Sequence, residues 1–392
     1  MKNKNNAIIY ITVILITILL MSMLSVYASA TYKSSKATGF TQKISAKASV
    51  IYEPTNNVFI YEKNGNERLP MASTTKIMTA MVVVKNCDVN ETVVIGPESV
   101  GIEGSSAYLR EGDEYTVLEL LYALLLQSAN DAATALAYYT AGGIEEFADL
   151  MNSEASRIGL ENTHFTNPHG LDNDNHYTTA NDLAILGANL IKSDVLRKIV
   201  STYKKTFTYG ERTRTYINHN KLLSLYDGAI GIKTGFTKRS GRCLVSAAEK
   251  NGLTFITVTL NAPSDWNDHI ALLNYAFDTY EKIHLASVGD YCHKVKVIGG
   301  NKPNLLIATN EDLSIVKEKD GSVIKEYFSL PNYLIAPINK GDVVGKVVYN
   351  VNGKTYTINL VATENVSYVG RKNIFENFLR RFHNKGVTNG TD

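Results

Sequence analysis

Several things are scarce in this sequence, and each scarcity removes a class of protein. Three cysteines in 392 residues, Cys87, Cys243 and Cys292, are odd in number and far apart. They build neither a disulfide framework nor a Cys-x-x-Cys redox or zinc site, and read as small buried hydrophobes. There is no His-Glu-x-x-His, and the eight histidines are scattered without ligand spacing, so neither a metal nor a cofactor is expected. No Gly-x-Ser-x-Gly elbow surrounds any serine, which weighs against a Ser-His-Asp triad with His169 or His176 as base. Excess charge is missing too. Forty Lys+Arg against 38 Asp+Glu leave a net +2, without the basic field that nucleic-acid binding needs.

What is present looks like a folded, catalytic chain. Hydrophobic residues at 44% and charged residues at 20% exclude wholesale disorder, and the length leaves room for two domains once a targeting segment is removed. Lys2 and Lys4 precede an uncharged apolar run from Ala7 to Val26, and Ala28-Ser29-Ala30 has the form of a signal-peptidase site. Residues 1–30 therefore read as a signal peptide or as an N-terminal membrane anchor, since the run is also long enough to span a bilayer. Either way the protein is exported. Residues 31–47 read as a linker. Near the other end Ile374, Phe375, Phe378, Leu379 and Phe382 share one helical face flanked by Arg371, Lys372, Arg380, Arg381 and Lys385. This is the pattern of a helix lying on a membrane surface, within 365–392; a short helix packed on the protein itself is the other reading.

Between these ends the periodicity changes twice. Residues 48–62 read as a strand hairpin. Helices follow from Thr74 to about Val84, from Thr116 (capping box with Glu119) through Leu126, from near Asp131, and over 144–158 and 180–191. Strands return at 206–209, 242–247 and 254–260. The segment 48–284 is thus α/β or α+β, and 285–364, with short strands and an Asn352-Gly353 hairpin, is a small all-β domain.

Three motifs carry chemistry. Ser73-Thr74-Thr75-Lys76 places a hydroxyl and an amine one helical turn apart, so the amine can take the hydroxyl proton. Ser201, Ser314 and Ser322 also have a lysine three residues on, but only Ser73 opens a clear helix. Ser128-Ala129-Asn130 falls between two apolar helices, where Asn130 and Asp131 would equally serve as ordinary caps. Lys233-Thr234-Gly235 reads as a strand entering a turn, with an edge strand ending in glycine as the plain alternative.

Together and in this order the three motifs resemble those of the active-site serine penicillin-recognising enzymes. Over about 44–362 the sequence is similar to the low-molecular-weight penicillin-binding proteins, D-alanyl-D-alanine carboxypeptidases. The likeness extends through Pro70 to Ala80, Asn167-Pro168-His169-Gly170-Leu171-Asp172, Gly231 to Thr237 and Gly241 to Val245. The resemblance implies a β-lactamase/transpeptidase-like catalytic domain, an antiparallel sheet flanked by helices, then a β-rich domain and a C-terminal amphipathic helix. The implied substrate is the peptidoglycan stem peptide ending D-Ala-D-Ala, with β-lactams as covalent inhibitors and a location on the outer face of the cytoplasmic membrane. It further implies Ser73 as nucleophile, Lys76 as base and Ser128 as proton carrier. Asn130 would hold the substrate amide and the Lys76 head. Lys233 and Thr234 would grip the terminal carboxylate, with Gly235 letting the substrate backbone lie along the strand. Backbone N–H groups of Ser73 and Phe236 would form the oxyanion hole. A class A β-lactamase is disfavoured because its Glu-x-x-Leu-Asn segment is absent. A D,D-endopeptidase and a non-catalytic wall-binding scaffold remain alternatives.

Overall fold

The computed structural model describes residues 39–209 and 212–369. The apolar N-terminal run, the expected cleavage site after Ala30 and the basic segment 371–385 lie outside the described residues. Among the described residues, those up to Glu249 together with Thr254–Ala276 form one compact unit, and Lys250–Leu253 with those from Phe277 onward form a second.

The first unit is mixed α/β, as read from the sequence. Its strands are β1 (Ala48–Glu53), β2 (Val58–Lys63), β3 (Thr92–Val94), β4 (Glu114–Thr116), β5 (Lys204–Tyr209), β6 (Arg212–Ile217), β7 (Ala229–Thr237), β8 (Gly241–Lys250) and β9 (Leu253–Leu260). Five of them make the central sheet in the order β2-β1-β9-β8-β7, leaving β7 at one edge. The helices are α1 (Lys76–Asn86), α2 (Val117–Leu126), α3 (Asn130–Ala141), α4 (Ile144–Arg157), α5 (Ala180–Leu190), α6 (Asp194–Val200), α7 (Leu222–Leu225) and α8 (Asp265–Thr279).

Both faces of the sheet are covered, which explains the unbroken apolar runs of β8 and β9. On one face α5 presses so closely that a Cβ on its Gly187 would lie 3.0 Å from Val245, 3.1 Å from Ile232 and 3.3 Å from Ile256. On the other face α8 sets the buried His269 against Ser246, Thr257 and Thr259. The parity is that of a pleat: 245 and 256 point one way, 246 and 257 the other. Burial holds the His269 imidazole neutral, its pKa drawn down to about 3. Behind α5 lies α1, buried nearly all round through Ile77, Met78, Ala80, Val82 and Val83. A helix apolar on every side belongs at a core centre, and that fixes the floor of the site.

Local signals read correctly where they are self-contained. Thr116 caps α2, accepting from Glu119 N at 3.2 Å while Glu119 Oε2 accepts Thr116 N at 2.7 Å. Thr179 caps α5. The plain alternative, Asn130 and Asp131 as caps, does not hold. The N-cap of α3 is Ala129 without a side-chain bond, because both polar side chains are taken up elsewhere.

The second unit is all-β: β10 (Tyr280–Ala286) pairs β13 (Leu313–Glu318), while β11 (His293–Ile298), β12 (Asn304–Thr309), β14 (Ile324–Ser329), β15 (Tyr333–Ile335), β16 (Val343–Val351) and β17 (Lys354–Ala362) form a six-stranded sheet. Asn352 and Gly353 both have positive φ (50° and 79°) at the β16–β17 turn, the conformation that the Asn-Gly pair signals. Of the cysteines only Cys243 matches the buried reading; Cys87 is half-buried and Cys292 exposed. Burial pushes the Cys243 thiol up to about 11, which keeps it protonated and inert. Among the described residues no helix is long and apolar enough to cross a membrane.

Candidate active site

Ser73 sits in a short 3-10 turn, Ala72–Thr75, that runs straight into α1. The turn enters with Ala72 at φ 46°, a left-handed conformation that costs a non-glycine residue on the order of 1–3 kcal/mol and persists only where surrounding contacts fix it. Those contacts come from the Asn167–Asp172 loop. A Cβ on Gly170 (φ 87°) would fall 2.0 Å from Ala72 O, so only glycine lets the loop lie on the nucleophile turn. Thr79 Oγ1 donates to Pro168 O at 2.6 Å, latching the loop to α1, and within the loop Asn167 Oδ1 accepts Gly170 N at 2.7 Å.

Lys76 is fully buried, and its Nζ has three partners: Ser73 Oγ at 2.9 Å, Asn130 Oδ1 at 2.7 Å and His169 O at 2.6 Å. Two of these can only accept. Once the ammonium loses a proton, the amine keeps two N–H bonds for Asn130 Oδ1 and His169 O, and its lone pair faces the one partner with a hydrogen to give, the Ser73 hydroxyl. Burial, then the charge of Lys233, push the Lys76 pKa well below its ordinary value, with Asp131 opposing. Lys233 is itself buried, drawn down to about 7 by burial, and donates to Thr234 O at 3.0 Å. The site thus favours a neutral amine beside the Ser73 hydroxyl.

Ser128 has φ 62° and is buried, yet lines the cleft beside Ser73. Asn130 lies deeper, with Nδ2 donating to Glu103 O and its backbone N to Ser105 O at 2.7 Å. Both ends of its side chain are therefore engaged, leaving the second Nδ2 hydrogen for any further partner. Asp131 organises the facing loop: Ser106 Oγ donates at 2.6 Å, Ala107 N at 3.0 Å and Leu109 N at 3.1 Å. Asp131→Ala leaves two buried N–H groups unpaired and is expected to cost about 3 kcal/mol. A melting temperature lower by about 6–10 °C, read by calorimetry, checks this; slower acylation should accompany it, because Asn130 leans on the same loop.

Thr234, Gly235 and Phe236 line the cleft from β7. The glycine has a reason that the sequence did not disclose. A Cβ there would lie 3.0 Å from Met71 O and 3.1 Å from both Ser73 N and Thr74 N, so its missing side chain makes room for the nucleophile turn. As an edge strand, β7 also leaves alternate backbone groups unpaired toward the cleft.

The histidines weighed as bases do other work. His176 Nδ1 accepts Thr166 N at 3.0 Å, so Nε2 carries the proton and donates to Thr75 Oγ1 at 2.7 Å; its pKa falls to about 4, chiefly through burial. His169 contributes its backbone carbonyl, while its ring falls to about 3. Sequence reasoning missed that carbonyl, since any residue type supplies one. It also missed Asp131, whose only signal was an acid in an apolar helix, and Arg242, which lines the cleft across from Phe236. The whole cleft holds about 990 Å³.

Residues 32–264 match the family described as D-alanyl-D-alanine carboxypeptidase, and residues 280–368 match the penicillin-binding protein 5 C-terminal domain. The chain is 33% identical over 348 residues to the D-alanyl-D-alanine carboxypeptidase DacF of Bacillus subtilis, covering 86% of this chain and 88% of the relative. It is 31% identical over 361 residues to DacC of Escherichia coli, covering 87% and 89%. Among solved structures, penicillin binding protein 5 from Haemophilus influenzae superposes with a TM-score of 0.71 at 30% identity, covering 83% of this chain and 99% of that one.

Proposed function

The chain belongs to the D-alanyl-D-alanine carboxypeptidases among the low-molecular-weight penicillin-binding proteins, and from that premise we propose how its residues divide the work of releasing the terminal D-alanine of peptidoglycan stem peptides. The enzyme is a serine D,D-carboxypeptidase of cell-wall maturation. The observation that carries the mechanism is the three-acceptor environment of Lys76 Nζ, with Ser73 Oγ as its single hydroxyl partner.

Ser73 Oγ attacks the carbonyl of the penultimate D-Ala as Lys76 takes its proton. The new C–O bond replaces the amide C–N bond, and backbone N–H groups of Ser73 and Phe236 hold the oxyanion, each such donor contributing roughly 3 kcal/mol. Ser128 passes a proton to the departing amine and recovers one from Lys76, the proton first taken from Ser73, so Lys76 is neutral again and D-alanine leaves as a free amine with its carboxylate. Asn130 keeps Lys76 oriented and offers its remaining hydrogen to the substrate amide. Lys233 and Thr234 bind at the carboxylate end. Water then cleaves the Ser73 ester. A β-lactam enters the same path, but its amine stays tethered, so the acyl-enzyme persists and the drug inhibits. The substrate places the reaction outside the cytoplasm; the N-terminal run exports the chain, and the basic C-terminal segment holds it at the membrane surface.

The direct test is D-alanine release from a pentapeptide ending D-Ala-D-Ala, followed across pH. Because Lys76 acts as its neutral amine and its pKa is lowered, the rate should rise with pH well below the ordinary lysine value of 10.5. The Lys233 charge lowers that pKa, so Lys233→Met should raise it and move the rise to higher pH. An unmoved or oppositely shifted limb would remove Lys76 from the role of base. No release from a folded, penicillin-acylated wild type would favour the endopeptidase reading.

A further inference from the structure

The edge of the central sheet opposite the catalytic strand carries a second cavity. It holds about 270 Å³ and shares no lining residue with the catalytic cleft. Its walls come from β2, from the turn after α4 and from the first turns of α5. A bulge prepares it. Ile51 pairs with Tyr61 but Tyr52 with Phe59, so β2 has one residue more than β1 at this point, and Phe59 and Glu62 both turn toward α5.

Three acids line the cavity, Glu62, Glu161 and Asp182, and no lysine, arginine or histidine does. Asp182 is 5% exposed, and its Oδ2 accepts Asn162 N at 2.8 Å and Thr163 Oγ1 at 2.7 Å. Burial raises the Asp182 pKa above its ordinary value despite those bonds, and the charge of Glu161 adds to the rise. The protein brings no cation to offset either effect. Asn181 supplies a fourth acceptor. It is 8% exposed; its backbone N donates to Gly65 O at 3.0 Å and its Nδ2 to Asn66 Oδ1 at 3.1 Å, while its Oδ1 is buried without a hydrogen-bond partner among the described residues. A Cβ on Gly65 would fall against that oxygen and 2.7 Å from Glu62 Oε1. Two acceptors thus close on a space that the missing side chain keeps open. A buried acceptor without a donor and a cluster of acids without a cation are both costly, and one positively charged donor relieves both.

A bare metal ion is not that donor. Among the described residues no three acidic, histidine or cysteine side chains converge closely enough to hold one, and the cavity is larger than one ion fills. Phe59 and Ile185 give it an apolar wall, which suits methylene groups. We propose that this cavity binds a primary alkylammonium, a free amine on a short methylene chain, with the ammonium among Glu62, Asp182 and Asn181 Oδ1 and the chain along Phe59 and Ile185. An ammonium has three donors to give and accepts nothing. The site lies apart from Ser73 and does not depend on the function proposed above.

The test is calorimetric titration of 1,5-diaminopentane into the full chain in a non-ionic detergent. Wild type should bind it at one site with a Kd below about 1 mM; 1-pentanol, of the same length without charge, and calcium chloride should not bind there. Glu62→Gln keeps the shape and removes one charge, and should weaken binding about 10-fold. Gly65→Ala, whose Cβ takes the space between Glu62 and Asn181, should weaken it at least as much. Glu145→Gln, which neutralises an exposed acid outside the cavity, should bind as wild type does. Labelling by fluorescent penicillin, which reads the separate catalytic cleft, reports that each variant is folded. The proposal is overturned if wild type binds no diamine, if pentanol binds equally well, if either cavity variant binds as tightly as wild type, if Glu145→Gln loses as much affinity, or if calcium takes the site and the diamine does not.

Discussion

Ser73→Ala is expected to abolish D-alanine release and penicillin labelling together, with the fold intact. The side chain is small and half-exposed, and its one side-chain hydrogen bond is the one from Lys76, so little packing is lost. What disappears is the one hydroxyl among the three oxygens that meet the amine. Lys76→Met, which keeps the buried stem while removing the base, should approach the same loss, about 10⁴-fold or more in kcat. The double variant should be scarcely worse than either single one, because the two groups act as a unit. Stopped assays of D-alanine and fluorescent penicillin labelling, beside a thermal melt, measure all three. Additive losses would mean that Lys76 acts on something other than Ser73. Turnover by Ser73→Ala at the wild-type rate would dispose of the acyl-enzyme altogether.

The second large effect should come from a single methyl group. Gly235→Ala adds a Cβ about 3 Å from Met71 O, Ser73 N and Thr74 N, closer than nine in ten real Cβ contacts. All three neighbours are backbone atoms, so either β7 moves outward or the nucleophile turn does. Either movement separates the Ser73 and Phe236 N–H groups assigned to the oxyanion. Losing one such donor costs roughly 10²–10³ in rate, and acylation by penicillin should slow by that amount. Global stability should change far less, since the contact lies at an edge strand. A variant with normal acylation would show that the turn yields without moving its donors, and the oxyanion assignment would need other groups.

How far the sequence reached can be judged residue by residue. The Thr116-Glu119 capping box, the Asn352-Gly353 turn and the helix behind Ser73 were legible because each is decided within a few positions, by local backbone preference and apolar spacing. The same holds for the order of the three motifs and hence for the family. The plain alternative of Asn130 and Asp131 as helix caps fails because local preference yields to tertiary demand. Asn130 reaches Lys76 across 54 residues, and Asp131 reaches back to Ala107 and Leu109. A buried charge or amide goes where unpaired partners are most costly to leave.

By itself, then, the sequence determined a two-part chain, a helix-borne serine with its lysine, and the carboxypeptidase family to which it belongs. Only the tertiary structure decided which way the lone pair of Lys76 points, because that depends on the carbonyl of His169, 93 residues away. It also decided why position 235 must be glycine, through the approach of β7 to the Ser73 turn. The physical reason is common to all of these. Backbone carbonyls, close approaches and the partner of a charge depend on where segments distant in the chain are packed, and packing leaves no mark in the spacing of residue types.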